Sequence, residues 1–170
     1  MESLPHILGA CSLTHLARIR RHNDVCRTIS RACKRVGWCV EPEPPVGFGP
    51  TFLKPDLVIS RAGRAEVLEV TIAQDGYEEQ AYDAKMTKYA ADRPLAAFRA
   101  YATSKLKAEE LFKENIRPIV FSQRGQLTPR SRAHLKDVGL SAFDATHSVL
   151  SVVAGSVRTH AAYHTSTFRL

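Results

Sequence analysis

Two carboxylates stand near the ends of a short apolar stretch, residues 53–70, which reads LKPDLVISRAGRAEVLEV. Asp56 follows a proline, and Glu69 comes thirteen positions later. Carboxylates are uncommon in strands, which favour branched and aromatic residues. If folding brought the two acids together, they would repel each other unless a cation lay between them. Hard carboxylate oxygens suit Mg²⁺, so the pair is a candidate metal site.

A β-hairpin would bring the two acids together. The segment SRAGRA, residues 60–65, is typical of a turn, and a loop centred on Ala62 and Gly63 predicts paired residue numbers that sum to 125. Asp56 then faces Glu69, with the two Cβ atoms roughly 5 Å apart on the same side of the sheet. A turn shifted by one residue makes the pair diagonal but keeps both acids on one side. The apolar flanks argue against the alternative that both acids simply end their strands in solvent.

Candidate cationic groups follow the hairpin in the segment GYEEQAYDAKMTKYAADRP, residues 76–94. Lys85, Lys88 and Tyr89 lie within about one helical turn of one another. An amine beside the acids could orient water and stabilise the charge on a phosphate under attack. Taken singly, each lysine is better explained as an ordinary solvated side chain, so its catalytic interpretation depends on the neighbouring hairpin.

The elements that must position these groups alternate between helix and strand. Apolar residues recur at helical spacing in five segments, which predicts helices over 14–37, 77–91, 98–114, 128–139 and 144–158. Shorter apolar runs predict strands at 38–41, 57–59, 65–71 and 116–122, and the prolines and glycines of 42–50 predict a loop. Thr128, Pro129 and Gly139 fit the cap, first turn and end of one helix. The interleaving indicates an α/β class with an undetermined sheet order.

The charge of the chain is strongly basic. Among its 170 residues, 24 lysines and arginines stand against 17 acids, which favours a polyanionic partner such as nucleic acid. The first long helix concentrates cations on one face, namely Arg18, Arg20, Arg21, Arg27, Arg31, Lys34 and Arg35. Only one acid, Asp24, accompanies them. A solvated face usually mixes charge signs, so this face favours contact with phosphates.

The remaining composition bounds the class of protein. The length suits one domain, and an apolar fraction of 44% is typical of a globular chain. No apolar run is long enough to span a bilayer, and the first residues lack a basic leader followed by an apolar run. We therefore expect an intracellular protein that is neither secreted nor membrane-bound. In the absence of a CxxC pair, Cys26, Cys33 and Cys39 are predicted to be reduced core cysteines.

Three segments, taken in order, resemble a known family. Pro55-Asp56, twelve residues and then Glu69 resemble the PD-(D/E)xK nucleases, although Thr71 holds the position where most of them have a lysine. The restriction-like endonuclease domain of site-specific non-LTR retrotransposons is more similar, since its lysine lies on the following helix near a tyrosine, as in AKMTKYA, residues 84–90. Before the hairpin, His6 and Cys11 have the spacing that ends a Cys-Cys-His-Cys zinc knuckle. The Arg-His-Asn triplet at 21–23 completes the resemblance, which covers about residues 3–95.

The resemblance implies a restriction-endonuclease-like core with a mixed central β-sheet flanked by helices. It implies a remnant of a zinc knuckle at 1–13, a nuclease core at 14–125 and a helical extension at 126–170. The implied catalytic residues are Asp56, Glu69, Lys85 or Lys88, and Tyr89, with Mg²⁺ or Mn²⁺ on the two acids. The basic helix and the triplet are expected to contact DNA through Arg18, Arg20, Arg21, His22, Arg27 and Arg31.

The implied activity is a metal-dependent DNA endonuclease in a retrotransposon Pol polyprotein. It would nick double-stranded target DNA in the nucleus, freeing a 3′-hydroxyl that primes reverse transcription of the element's RNA by an upstream polymerase; a dimer is compatible with this role. His6 and Cys11 would bind Zn²⁺ only with two further cysteines, so we expect a fragment of a longer chain. One alternative is a non-catalytic basic domain with a degenerate nuclease fold, which Thr71 favours. Another is an unrelated resolvase or repair nuclease, which leaves LPHILGAC and RRHND unexplained.

Overall fold

The structure, a computed structural model, describes residues 2–167. Its helices are α1 (Leu4–Gly9), α2 (His15–Arg35), α3 (Glu78–Tyr89), α4 (Asp92–Tyr101), α5 (Pro129–Asp137) and α6 (Ala142–Thr167). Its strands are β1 (Cys39–Pro42), β2 (Val46–Phe48), β3 (Thr51–Leu53), β4 (Leu57–Arg61), β5 (Arg64–Ala73) and β6 (Ile116–Ser122). Within this range, every helix is too short or too polar to cross a lipid bilayer.

A mixed four-stranded sheet forms the centre of the molecule, in the order β1-β4-β5-β6. The pairs β1–β4 and β4–β5 are antiparallel, whereas β5 and β6 run parallel. A parallel pair needs a long crossover connection, and the segment carrying α3 and α4 provides it. The α/β class predicted from the sequence, with a mixed sheet flanked by helices, is confirmed.

The hairpin of β4 and β5 has the predicted register. Leu57 pairs with Leu68, so the paired residue numbers sum to 125. The turn lies at Ala62 and Gly63, whose φ angles of +50° and +80° are those of the tight turns that join twisted antiparallel strands. The open end of this hairpin, where Asp56 precedes β4, is therefore fixed relative to the middle of β5.

Each face of the central sheet packs against different helices, because successive strand side chains point to opposite faces. One face, carrying Leu57, Leu68 and Ile119, packs with buried residues of α2, α5 and α6. The other face, carrying Val58 and Val67, packs with buried residues at the end of α3 and in α4. The sheet thereby holds α2 and α3 on opposite sides of one hairpin.

A hydroxyl cap or a glycine marks three helix ends. The hydroxyl of Thr128 accepts a hydrogen bond from the backbone N–H of Ser131 at the start of α5. Gly37 follows α2 and Gly139 follows α5, with φ of +91° and +85° respectively, the left-handed conformation that glycine adopts without strain.

The predicted helix over 98–114 is wrong. α4 begins earlier, at Asp92, with Pro94 in its first turn, and a π-helical turn over Ala102–Leu106 follows it. The helix then stops at Lys107, whose φ is +55°. Glu110 instead forms an isolated bridge with Arg64. Ala108 and Leu111, which follow Lys107, are therefore buried in an irregular segment beside the hairpin turn, whereas Phe112 is exposed.

Other boundaries also differ from the sequence prediction. The predicted loop at 42–50 contains β2, which pairs with β3 across a turn where Gly49 has φ of +59°. α1 was not predicted, and α6 extends beyond the predicted 144–158 at both ends. Residues 168–170 of the predicted C-terminal extension, and residue 1 of the predicted knuckle remnant, lie outside the described residues.

The cysteines divide between core and surface. Cys33 is fully buried and Cys26 is half-buried, but Cys39 is exposed at the start of the edge strand β1. The core prediction is therefore wrong for Cys39, because an edge strand leaves its outer positions open to water. All four thiols are free.

Candidate active site

Asp56 and Glu69 are interlocked at the open end of the β4–β5 hairpin. The backbone N–H of Asp56 donates to Glu69 Oε1 (3.1 Å), and the backbone N–H of Val70 donates to Asp56 Oδ2 (2.8 Å). The carbonyl oxygen of Asp56 accepts from the N–H of Glu43 (3.0 Å), which anchors this bend to the end of β1. These side-chain hydrogen bonds extend the pairing of β4 and β5 beyond their last backbone pair. They hold both carboxylates at the open end of the hairpin.

Of the two acids, Glu69 lies in the less favourable environment for a negative charge. Its side chain is 1% exposed, whereas that of Asp56 is 16% exposed. Burial, followed by the negative charge of Asp56, raises the pKa of Glu69 above its ordinary value, and Lys85 opposes that rise only in part. A buried carboxylate beside a second carboxylate therefore lacks full compensation from the protein.

α3 supplies the amine expected beside the acids. Lys85 Nζ donates to Glu69 Oε2 (2.9 Å). Tyr89, one turn later, is 2% exposed, and burial, followed by the negative charges of Glu69 and Asp56, raises its pKa. Lys88 is exposed, and its ammonium lies over the Tyr89 ring, 4.5 Å from the centroid. Of the two candidate lysines, Lys85 is the one that reaches the carboxylates.

His22 approaches the same acids from α2, on the other side of the hairpin. Its Nε2 lies 3.4 Å from Asp56 Oδ2 and 3.2 Å from the carbonyl oxygen of Val70. The hydrogen bond to Asp56, and then that to Cys26, raises the pKa of His22. We expected His22 at a DNA-facing surface, and the contact with Asp56 was missed. Only its helical spacing of four from Cys26 hinted that it lies on the inner side of α2.

The cationic residues of α2 border the acids. One cavity of about 440 Å³ is lined by Arg27, Arg31 and Lys34 on one side and by Asp56 on the other. Arg27 pairs with Asp24. Among the described residues, Arg20, Arg31 and Lys34 have no acidic partner within salt-bridge distance. Of these, Arg31 and Lys34 line the cavity and are available to a polyanion that enters it.

Two arginines of the predicted DNA-contacting face serve the fold instead. Arg21 is 4% exposed, and its guanidinium donates to Ser156 Oγ and to the carbonyl oxygen of Leu8, each at 2.9 Å. Burial, and then Arg18, lowers the pKa of Arg21 to about 10. Arg18 donates to the carbonyl oxygen of Gly9 (2.7 Å). Arg21 therefore cannot contact DNA in this arrangement, because α2 packs this side against α1 and α6.

The two residues predicted to complete a zinc knuckle lie at α1. His6 forms an ion pair with Glu2 (2.7 Å), and Cys11 is 4% exposed. The backbone N–H of Cys11 donates to the carbonyl oxygen of His6 (2.9 Å), which closes the end of the helix. The zinc role of this pair stays a prediction for the longer chain.

The donor set at Asp56 and Glu69 fits a hard divalent cation. Each carboxylate oxygen has two lone pairs, so the hydrogen bonds from Val70, Asp56 and Lys85 leave acceptor capacity on both groups. The raised pKa of Glu69 marks negative charge that the protein leaves uncompensated. Oxygen-only coordination by two carboxylates is what Mg²⁺ prefers.

Thr71 occupies the sequence position of the lysine in most PD-(D/E)xK nucleases. It lies two residues after Glu69 on β5 and therefore on the same face of the sheet. Its Oγ1 is buried and has no hydrogen-bond partner in the described part of the chain. The amine that contacts Glu69 comes from a different element, Lys85 on α3.

Comparison with known proteins points to one kind of element. No family model matches the chain. It is 34% identical over 139 residues to a Retrovirus-related Pol polyprotein from type-1 retrotransposable element R2 of Popillia japonica, a match that covers 78% of the chain and 29% of that relative. Its homologues are R2 Pol polyproteins.

Other R2 relatives extend the match along the whole chain. The polyprotein from type-1 retrotransposable element R2 of Nasonia vitripennis is 22% identical over 169 residues, which covers 99% of the chain and 16% of the relative. That from type-2 retrotransposable element R2DM of Drosophila melanogaster is 34% identical over 94 residues, covering 55% of the chain and 9% of the relative. The chain therefore spans less than a third of each of these three R2 polyproteins.

Proposed function

We propose that this chain is a Mg²⁺-dependent DNA endonuclease that nicks target DNA for a retrotransposon. The observation that carries the proposal is the contact of two interlocked carboxylates, Asp56 and Glu69, with an amine from the next helix, Lys85. The similarity to R2 Pol polyproteins supports the retrotransposon setting. The nick would free a 3′-hydroxyl, which would prime reverse transcription by a polymerase elsewhere in the polyprotein.

Each residue of the site has a physical task in this proposal. Asp56 and Glu69 hold the cation, which when bound lowers the pKa of a coordinated water and shields the scissile phosphate. Lys85 places a positive charge beside that phosphate, where charge grows in the transition state. Tyr89 packs under Lys85 and limits the positions of its ammonium, whose Nζ lies 5.7 Å from the ring centroid.

The duplex would be held from α2. Arg27, Arg31 and Lys34 line the cavity that Asp56 also borders, so phosphates bound there lie next to the acids. Contacts of this kind fix the position of the backbone without reading the bases. Selection of a target sequence would therefore come from other parts of the polyprotein.

The rival interpretation, a non-catalytic basic domain, makes a different use of the same surface. Thr71 favours it, since the usual lysine is absent from β5. The contact between Lys85 and Glu69 favours the enzyme, because it restores a charged amine beside the acids. Strand cleavage separates the two functions.

Nicking of supercoiled plasmid with Mg²⁺ tests the proposal. We expect Asp56→Asn and Glu69→Gln to lower the nicking rate by about 100-fold or more, the loss typical of removing a group that stabilises the transition state. Plasmid binding without metal should persist in both variants, since neither removes a cation from α2. Equal nicking by the parent and both variants would end the nuclease proposal. Binding without any nicking by the parent would favour the non-catalytic domain.

A further inference from the structure

His22, Cys26 and Asp56 bring three different metal-ligating groups together, and this cluster shares only Asp56 with the Asp56–Glu69 pair. One ligand atom from each lies within 4.8 Å of the other two. His22 and Cys26 are four residues apart on α2 and therefore share a helix face. Asp56 meets that face from the start of β4. These groups come from separate elements, so the tertiary fold, and not local sequence, assembles the cluster.

We propose that His22, Cys26 and Asp56 bind a divalent transition-metal ion of the Zn²⁺ class. An imidazole, a thiolate and a carboxylate form a donor set that such ions favour and that Mg²⁺ does not. Three protein ligands leave the fourth tetrahedral position to water. This site uses one carboxylate of the proposed nuclease, but the binding itself does not depend on nuclease activity.

The interatomic distances suit a small tetrahedral site. Zinc–ligand bond lengths place neighbouring ligand atoms roughly 3.3–3.6 Å apart. His22 Nε2 lies 3.4 Å from Asp56 Oδ2, and Cys26 Sγ lies 3.8 Å from Nε2. Cys26 Sγ and an oxygen of Asp56 lie within 4.8 Å of each other, so a movement of the thiol by at most about 1 Å brings all three groups into coordination distance.

Neighbouring groups orient the ligands and leave a route for the ion. His22 Nδ1 faces Asn23 Oδ1 (3.4 Å), where an Nδ1 proton can stay hydrogen-bonded, while Nε2, which faces Asp56 and the carbonyl oxygen of Val70, gives up its proton to bind the metal. Cys26 and Asp56 both line the cavity of about 440 Å³ beside α2, through which an ion can enter. Coordination releases the Cys26 thiol proton and the Nε2 proton of His22 to solvent.

Occupation of this site has a consequence for the proposed nuclease. The ion would hold Asp56 by Oδ2, the oxygen that now accepts from Val70, and would draw its charge away from the pair with Glu69. We therefore expect Zn²⁺ to inhibit Mg²⁺-dependent nicking. This part of the inference rests on the proposed function.

Cobalt binding tests the site without any activity measurement. Co²⁺ added to the reduced chain should give a thiolate-to-cobalt charge-transfer band at one ion per chain. We expect Cys26→Ser to abolish the band. His22→Gln should lower Co²⁺ affinity by about 10-fold or more, because losing a residue that only orients a metal ligand already costs about 10-fold to 100-fold. The matched control is Cys39→Ser, which removes an exposed thiol far along the chain from the cluster and should keep the band. A band that survives Cys26→Ser, or that disappears with Cys39→Ser, would overturn the proposal.

A second measurement uses the parent chain and so avoids any misfolded variant. Zn²⁺ should slow alkylation of Cys26, read by peptide mass mapping, while Cys39 in the same molecule continues to react. Equal reactivity of Cys26 with and without Zn²⁺ would count against the site. If the parent nicks DNA, Zn²⁺ should inhibit Cys26→Ser less than it inhibits the parent, when each nicking rate is compared with that of the same chain without Zn²⁺. If the parent does not nick, the cobalt and alkylation results still decide the metal site.

Discussion

At the residue scale, Glu69 concentrates the electrostatics of the site. It is almost fully buried, it contacts the backbone of Asp56, and its only cationic partner is Lys85 among the described residues. A carboxylate in such a place is costly to ionise, and a bound cation lowers that cost. The site is therefore arranged to gain from a metal ion more than an exposed pair of acids would.

The pH dependence of stability should report the cost of ionising Glu69. The pKa of Glu69 is raised in the folded chain above 4.5, so its contribution to stability is fully present below that value and is lost as pH rises through the folded pKa. Glu69→Gln cannot ionise. We therefore expect the free energy of unfolding of the parent to fall relative to Glu69→Gln as pH increases from about 4.5 towards neutrality without metal.

Urea unfolding of both chains across that pH range measures the difference. Saturating Mg²⁺ should reverse it by stabilising the parent, by about 2.7 kcal/mol at one hundred times the dissociation constant, and should leave Glu69→Gln nearly unchanged. Parallel stability curves in the absence of metal would contradict the raised pKa of Glu69.

The two lysines of α3 should differ sharply in catalysis. Lys85 contacts Glu69, whereas Lys88 is exposed over the Tyr89 ring. Lys85→Ala should therefore lower single-turnover nicking by about 100-fold to 1,000-fold, because it removes a charge aimed at the transition state. Lys88→Ala is the matched control and should retain most of the rate. The reverse order of effects would show that the wrong lysine has been assigned.

Part of the site was predictable from sequence because its geometry is local. Asp56 and Glu69 lie on one hairpin, and a single turn at Ala62 and Gly63 fixes their pairing. His22 could not be placed in this way, since its contact with Asp56 depends on how α2 crosses the sheet. The predicted DNA contact of Arg21 is wrong for the same reason. Helical spacing groups Arg21 with the other cations of α2, but packing against α6 buries it.

At the element scale, the two sides of α2 have different functions. One side packs against α6, where Arg21 crosses Gly155 in close contact. Other positions of α2 carry the cations that line the cavity next to Asp56. The fixed packing of α2 on α6 thus sets the position of both His22 and the basic residues relative to the acids.

Gly155 should be required for this packing. A Cβ at that position would lie 2.9 Å from the Cβ of Arg21 and closer still to its Cγ. Gly155→Ala should therefore destabilise the chain by about 1–3 kcal/mol through overpacking. Helix propensity alone would give the opposite sign, a gain of about 1 kcal/mol.

A double-mutant cycle separates these two effects. In an Arg21→Ala background Cγ and Cδ are absent and only the Cβ contact at 2.9 Å remains, so Gly155→Ala should be clearly less destabilising in urea unfolding than in the parent. If Gly155→Ala is equally destabilising with and without Arg21, the close approach of the two helices is not the cause.

Helix and strand boundaries were predictable where a local group ends the element. Thr128 and Gly139 bound α5 because a hydroxyl cap and a left-handed glycine act within a few residues. No such signal marks the end of the π-helical turn after α4, where Lys107 takes the left-handed conformation. The strand β2 escaped prediction because it is only three residues long and stands among prolines and glycines.

At the scale of the whole molecule, the net charge is +7, and three of the cationic side chains line the cavity next to Asp56. The cavity beside Asp56 has cations of α2 on its opposite wall. The sheet order that produces this arrangement could not be read from the sequence, because the pairing of β5 with the distant β6 depends on the crossover through α3 and α4. The sequence therefore shows which charged residues are present, whereas long-range packing determines which of them lie close together.

DNA affinity should depend steeply on salt through these cations. Arg31→Ala and Lys34→Ala should each weaken duplex binding and lower the slope of log K against log salt by about 0.9 per lost phosphate contact. Lys113→Ala is the matched control, since Lys113 precedes β6 near the turn end of the hairpin and should leave the slope unchanged. Fluorescence anisotropy over a salt series measures all three. A slope that falls only with Lys113→Ala would place the duplex on another surface.

The most direct test of the account is the position of a metal ion in crystals of this chain grown with Mn²⁺. The account predicts an anomalous difference peak shared by the carboxylates of Asp56 and Glu69, about 2 Å from an oxygen of each, as hard cations of this size require. The peak should be absent from Glu69→Gln crystals grown in the same way. A well-ordered map in which Mn²⁺ lies elsewhere, or in which Lys85 alone occupies the space between the two acids, would contradict it.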